Sequence, residues 1–256
     1  MRVFAFACGW LTSDMSGLLA GSSGRLKIPV PAFFIDHPKG RVLFDSGMHP
    51  DAGTDPVGRL GVLSPMFDVH FRADENVAAR LAALDVDATR VDRLVLSHLH
   101  FDHAGGAELL PNATLVVQRR EWEAGQDDEI AARCGFDKRD YRLGHDVELV
   151  DGEHDVFGDG RVVCLPTHGH TPGHQSLRLR LDDGREVILC ADACYLKRNL
   201  DELALPGVVF SRKGMMASLE RLAALRESGC TMIYGHDPEA WSSVPQAPQS
   251  LGAASS

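Results

Sequence analysis

The chain has 256 residues, 44% hydrophobic and 24% charged, with a formal net charge of −10 and a pI near 5.6. That balance describes an ordinary globular protein with room for a sizeable core, and its acidity excludes non-specific nucleic-acid binding, which runs on a cationic surface releasing counterions. No apolar run nears the roughly 20 residues that span a bilayer, and six cysteines without a Cys-x-x-Cys pair predict free, mostly buried thiols of a cytoplasmic protein.

The opening "MRVFAFACGWL" predicts a first β-strand rather than a signal peptide, because its basic region is Arg2 alone and no small-x-small cleavage site follows. "PAFFIDH" and "RVLFDSG", separated by Pro-Lys-Gly, read as a hairpin. Residues 50–72 carry no motif. "DENVAARLAALD" predicts a helix capped by Asp74, with Val77, Leu81 and Leu84 on one face. "RVDRLVLSHLH" is a largely buried strand that delivers its end to a histidine cluster, and "RVVCLP" is another strand. "SLRLRLDDGREVILCAD" is a hairpin in which Leu177, Leu179 and Leu181 share a face and Asp-Asp-Gly turns. "MMASLERLAALRESG" predicts a helix with Met216, Leu219 and Leu222 inward and Gly229 as its stop, and "CTMIYGHD" a final strand. The small, polar, Pro-containing stretch 242–256 predicts a disordered tail. With no repeat and no internal linker, residues 1–241 form one α/β domain.

Twelve histidines are placed unevenly. In "SHLHFDHAGG" (97–106), His98 and His100 alternate by two, so both rings leave a strand end on the same side. Asp102 and His103 follow in the turn. "THGHTPGH" adds imidazoles after another strand, and Asp192 and His236 each end a strand of their own. Functional loops of an α/β fold gather at such strand ends. Crowded imidazoles repel one another when protonated, whereas a divalent cation takes up all their lone pairs. Imidazole and carboxylate without thiolate suit zinc, and also iron, cobalt or manganese. Four candidates in the motif plus His170, Asp192 and His236 make seven, too many for one tetrahedral ion. Two metals sharing a carboxylate and a water are the natural arrangement.

These blocks resemble the metallo-β-lactamase superfamily, whose signature is His-x-His-x-Asp-His followed by distant His, Asp and His. More narrowly, "SHLHFDHAGG", "VVQRREWEA", "GHTPGHQSL", "DACY" and "YGHD" are similar, in order, to the N-acyl-homoserine lactonases that quench quorum signals. The resemblance covers most of residues 30–238 and implies an αββα sandwich, two mixed β-sheets flanked by helices. It implies that His98, His100 and His170 hold one ion, Asp102, His103 and His236 the second, and that Asp192 bridges them. Asp45 would orient a ligand imidazole from behind, and His174 would be a hydrogen-bonding support. His168 would be a bystander. Tyr195 would donate a hydrogen bond to the lactone carbonyl as it gains charge, and Asp102 would carry the proton to the leaving alkoxide. Phe101, Trp10 and Leu18, with Leu11, Met15 and Leu19, are candidates for an acyl-chain groove. The partners implied are a small lactone and a second copy of the chain, with neither nucleic acid nor membrane. A hydrolase of another lactone or a thioesterase of the glyoxalase II type is the alternative on the same fold. The thioesterase is disfavoured by Tyr195 and by the short stretch after His236. A metal-sensing protein is the non-enzymatic alternative.

Overall fold

The computed structural model describes residues 1–252. Seven strands form the first sheet, in the order β4-β1-β2-β3-β5-β6-β7. They are β1 (Arg2–Asp14), β2 (Arg25–His37), β3 (Gly40–Phe44), β4 (Asp68–His70), β5 (Arg93–Val95), β6 (Thr114–Gln118) and β7 (Val147–Val150). The second sheet runs β12-β11-β10-β9-β8, built from β8 (His154–Asp155), β9 (Val162–Pro166), β10 (Gln175–Arg180), β11 (Glu186–Leu189) and β12 (Thr231–Ile233). Both are mixed: β3, β5, β6 and β7 are mutually parallel, as are β11 and β12, and the remaining pairs are antiparallel.

Side-chain alternation turns these sheets into four layers. From β2, Phe33 and Ile35 point to a core shared with Leu177, Leu179, Val187 and Leu189 of the second sheet. Phe34, between them, points the other way and packs with Val77, Leu81 and Ala124 of the first helical layer. The apolar run in "AFFI" is thus a strand buried on both faces. On the far side, Val163, Leu165 and Ile188 pack against Leu219 and Leu222 of the helix Arg212–Glu227. The result is the αββα sandwich.

Both expected hairpins form. His37 pairs with Gly40 across Pro38-Lys39, and Leu181 N–H donates to the Arg185 carbonyl around a loop in which Gly184 takes φ +84. The helix expected from Asp74 begins instead at Val77. Asn76 caps it by accepting from Ala79 N–H, and residues 73–75 form a separate 3-10 turn. On the last long helix the inward methionine is Met215 rather than Met216, because the helix starts at Arg212 under a Ser211 cap.

Residues 50–72 fold into two short helices, Asp51–Thr54 and Pro56–Leu60, a 3-10 turn Gly61–Met66, and β4. The stretch 242–252, expected to be disordered, lies along the open edge of β1. Ala247 N–H donates to the Ala5 carbonyl, Leu251 N–H to the Val3 carbonyl, and Leu251 is buried in the inter-sheet core. Those backbone bonds cover an otherwise unpaired strand edge. Residues 253–256 of the expected tail lie outside the described residues. All six cysteines are unpaired, and among the described residues no helix is long and apolar enough to cross a membrane.

Candidate metal centre

Two sheets deliver their strand ends to one rim. The turn after β5 carries His98, His100, Asp102 and His103. The loops after β9, β11 and β12 of the opposite sheet carry His170, Asp192 and His236. These side chains meet as two adjoining groups, His98–His100–His170–Asp192 and Asp102–His103–His236. In the first, His98 Nε2 lies 2.8 Å from His100 Nδ1, and His170 Nε2 lies 3.2 and 3.0 Å from those two atoms. Asp192 is divided between the groups. Its Oδ2 is 3.3 Å from His170 Nε2, and its Oδ1 is 3.1 Å from both His103 Nε2 and His236 Nε2. Asp102 Oδ2 stands 3.7 Å from the same two nitrogens.

The outward nitrogens are all engaged, and that fixes what points inward. His100 Nε2 donates to the Cys134 carbonyl at 2.7 Å and His236 Nδ1 to the Pro29 carbonyl at 2.7 Å. His103 Nδ1 lies 2.9 Å from Asp45 Oδ2. Ser97 Oγ donates to Asp45 at 2.8 Å, so its oxygen accepts from His98 Nδ1 at 2.9 Å. A neutral imidazole carries one proton. With that proton spent outward, His98, His100, His103 and His236 present lone pairs to the centre. His103 Nε2 and Asp192 Oδ1 are buried without a hydrogen-bond partner. Converging lone pairs and an orphaned carboxylate oxygen are satisfied together by cations, so the residues present fit the metals that the sequence implied.

Electrostatics divide the imidazoles between the two groups. Burial holds His98 and His170 well below the usual imidazole range, hence neutral. Burial also lowers His103 and His236, but Asp192 and Asp102 outweigh it and hold both above that range, so these rings favour a second proton that a bound cation displaces. Burial would raise the Asp192 carboxyl, but His103, His236 and His98 outweigh it and hold the group well below the ordinary carboxylate range. Tyr195 OH sits 3.1 Å from His170 Nδ1, and its ring stacks on His236 at 5.6 Å. Burial, with Asp192 and Asp102 nearby, pushes its phenol well above the ordinary value, so it keeps its proton.

Each expected residue has an identifiable place. Asp45, at φ +58, a region that Asp tolerates better than most, holds Ser97 N–H at 2.7 Å as well as His103. His174 accepts from Asp192 N–H at 3.1 Å and meets Thr167 Oγ1 at 2.9 Å, supporting the loop rather than facing the centre. His168 turns into a different cleft with Arg120 and Arg221. A cavity of about 200 Å³ opens beside the two groups, with Phe101 and Leu18 in its wall. Trp10 is not in it. The bulge between Ala7 and Trp10 in β1 shifts the alternation, and the indole lines a separate cleft with Arg80 and Trp241. Leu11 and Leu19 are packed beneath the cavity with Met15 beside them.

Sequence reasoning missed the remaining walls. Leu63, Met66 and Phe67 come from the motif-free stretch, and Val208 and Phe210 from the loop before the last long helix. It also missed two supports. Ser97 was adjacent to the motif and could have been suspected there. Glu121 lay inside the block "VVQRREWEA" that carried the resemblance, but beside Arg119, Arg120 and Glu123 nothing marked it as a buried support.

The sequence model of the metallo-beta-lactamase superfamily matches residues 27–236. An N-acyl homoserine lactonase, AttM, of Azorhizobium caulinodans is 38% identical over 234 residues, 89% of each chain. A lactonase of the same name from Rhizobium radiobacter is 35% identical, covering 90% of this chain and 89% of that one. Among solved structures, an N-acyl homoserine lactone hydrolase with the product N-hexanoyl-L-homoserine at its catalytic metal centre superposes with a TM-score of 0.87. It is 25% identical, with 98% of both chains covered.

Proposed function

We propose that this chain, which belongs to the metallo-beta-lactamase superfamily, hydrolyses the ring ester of N-acyl homoserine lactones. The observation that carries the proposal is the pairing of two ligand groups across Asp192 with a protonated Tyr195 and an apolar cavity alongside. The naming of its 38% and 35% identical relatives as N-acyl homoserine lactonases supports the substrate class. Imidazole and carboxylate donors without thiolate favour zinc. His98, His100 and His170 would hold one ion and Asp102, His103 and His236 the other, with Asp192 offering one oxygen to each. Ions bound there supply Lewis acidity toward the ester carbonyl and bring the pKa of water toward neutral.

The chain's own groups do the rest. Tyr195 donates its hydroxyl proton in a hydrogen bond to the carbonyl oxygen as charge develops, which costs no reorganisation because the phenol is already held against His170 and His236. As the oxygen of water bonds to the acyl carbon and the ring C–O bond breaks, Asp102, beside the second group, would take the proton that this water gives up and pass it to the leaving alkoxide. Leu18, Phe67 and Phe101 offer the acyl chain an apolar wall that excludes water from the ester. Six unpaired thiols suit the cytoplasm, where such a lactone would arrive by diffusion.

The test is a panel of homoserine lactones of graded acyl length, unrelated lactones and a glutathione thioester, followed by proton release with metal-replete protein. Turnover of the acyl homoserine lactones is expected. Hydrolysis of the thioester with none of a lactone overturns the proposal and favours the glyoxalase II type.

A further inference from the structure

Glu121 is a carboxylate with no exposed surface, on the helix Arg119–Gln126, and the chemistry above makes no use of it. Burying a carboxylate is costly unless donors satisfy it. Here three do, and they come from the two loops that carry the first ligand group. Glu121 Oε1 accepts from Leu99 N–H at 3.2 Å, and Leu99 lies between His98 and His100. Oε2 accepts from Thr171 Oγ1 at 2.9 Å and from Gly173 N–H at 2.7 Å, just beyond His170.

The helix touches both loops directly. A Cβ on Gly173 would come within 2.2 Å of Glu121 N, and one on Gly125 within 2.6 Å of Leu99 Cδ1. Glu121 makes no hydrogen bond to a residue of the second group, which has supports of its own. His103 rests on Asp45 and His236 on the Pro29 carbonyl.

We propose that Glu121 is a positioning residue that sets the spacing of His98 and His100 against His170, and thereby the affinity of that group alone for its ion. The inference rests on the ligand roles proposed above. One carboxylate, one oxygen to each loop, ties together the segments that carry histidines 72 and 70 positions apart in the chain. Only an acceptor-only group meets all three donors. A glutamine has one acceptor oxygen, so either way round its amide N–H₂ faces the N–H of Leu99 or of Gly173.

The test is a Co2+ titration of metal-free protein in competition with a chelator, for wild type, Glu121→Gln and Asp45→Asn. Wild type should take two ions. Glu121→Gln should weaken one of the two sites by about 10- to 100-fold, the scale of losing a ligand's outer support, and leave the other within about threefold. Asp45→Asn, which removes the support of His103 directly and that of His98 only through Ser97, should weaken the opposite site more than the first, and the double variant both. Equal weakening of both sites in Glu121→Gln, or of neither, overturns the role. Thr171→Val, which removes only the hydroxyl contact, keeps the question answerable if Glu121→Gln does not fold. It should weaken the same single site by a smaller factor, and unchanged affinity there counts against the inference. Wild type that takes fewer than two ions would instead defeat the dinuclear reading.

Discussion

A hydroxyl held by an imidazole that is itself a candidate ligand can be tested by removing one atom. Tyr195→Phe should lower turnover of an acyl homoserine lactone by roughly 10- to 1000-fold, the scale of one oxyanion donor, with metal content unchanged. Wild-type turnover in that variant would assign the proton donation elsewhere. His174 gives a pH signature. Burial drives it down to about 3, whereas an unfolded histidine titrates near 6.5. The unfolded chain therefore binds a proton that the folded one excludes, and stability falls as pH drops below about 6.5, by about 1.4 kcal/mol per unit until the folded value is passed. Buried His98 and His170 act in the same direction, and His103 and His236, held above the usual range by Asp192, oppose them in part. Urea midpoints of metal-free protein should fall between pH 7 and pH 5, and His174→Asn should reduce that slope by one proton. An unchanged slope would show that His174 is charged in the fold.

The strands were legible because their alternation is physical: each Leu of β10 points where its period places it. Where sequence fell short, the cause was a contact distant in the chain. Asn76 rather than Asp74 caps its helix because a cap needs the donor two or three positions ahead, and Ala79 N–H is the one available. One extra residue in β1 moved Trp10 to the wrong face. The ligand types were readable from crowding alone, but the choice of His170 over its neighbours at 168 and 174 came from family resemblance, since three imidazoles on one loop look alike until their partners are seen. That loop also yields a prediction. Gly169 adopts φ +133, and a Cβ there would stand 2.1 Å from Met215 N. Gly169→Ala should therefore carry about 1–3 kcal/mol of backbone strain and, by lifting His170 off the long helix, lower both melting temperature and turnover. Wild-type values for both would mean that the loop has another seat.

At the scale of the molecule, two features depend on the sheets together. The stretch 242–252 closes β1's free edge, so removing residues 242–256 should expose Val3 and Ala5 backbone and forfeit burial of Leu251, worth roughly 1.5–3 kcal/mol. A lower melting temperature and faster light scattering on warming are expected, with turnover per folded molecule retained. Scattering that matches wild type would mean the edge is protected by other means. The second feature is the split origin of the ligands, four from one sheet and three from the other. Ions seated among them act as rivets through both halves of the sandwich, and since they bind the folded chain alone they add to its stability by mass action. Metal starvation would then do more than idle the protein: it would loosen the sandwich and thin the folded population.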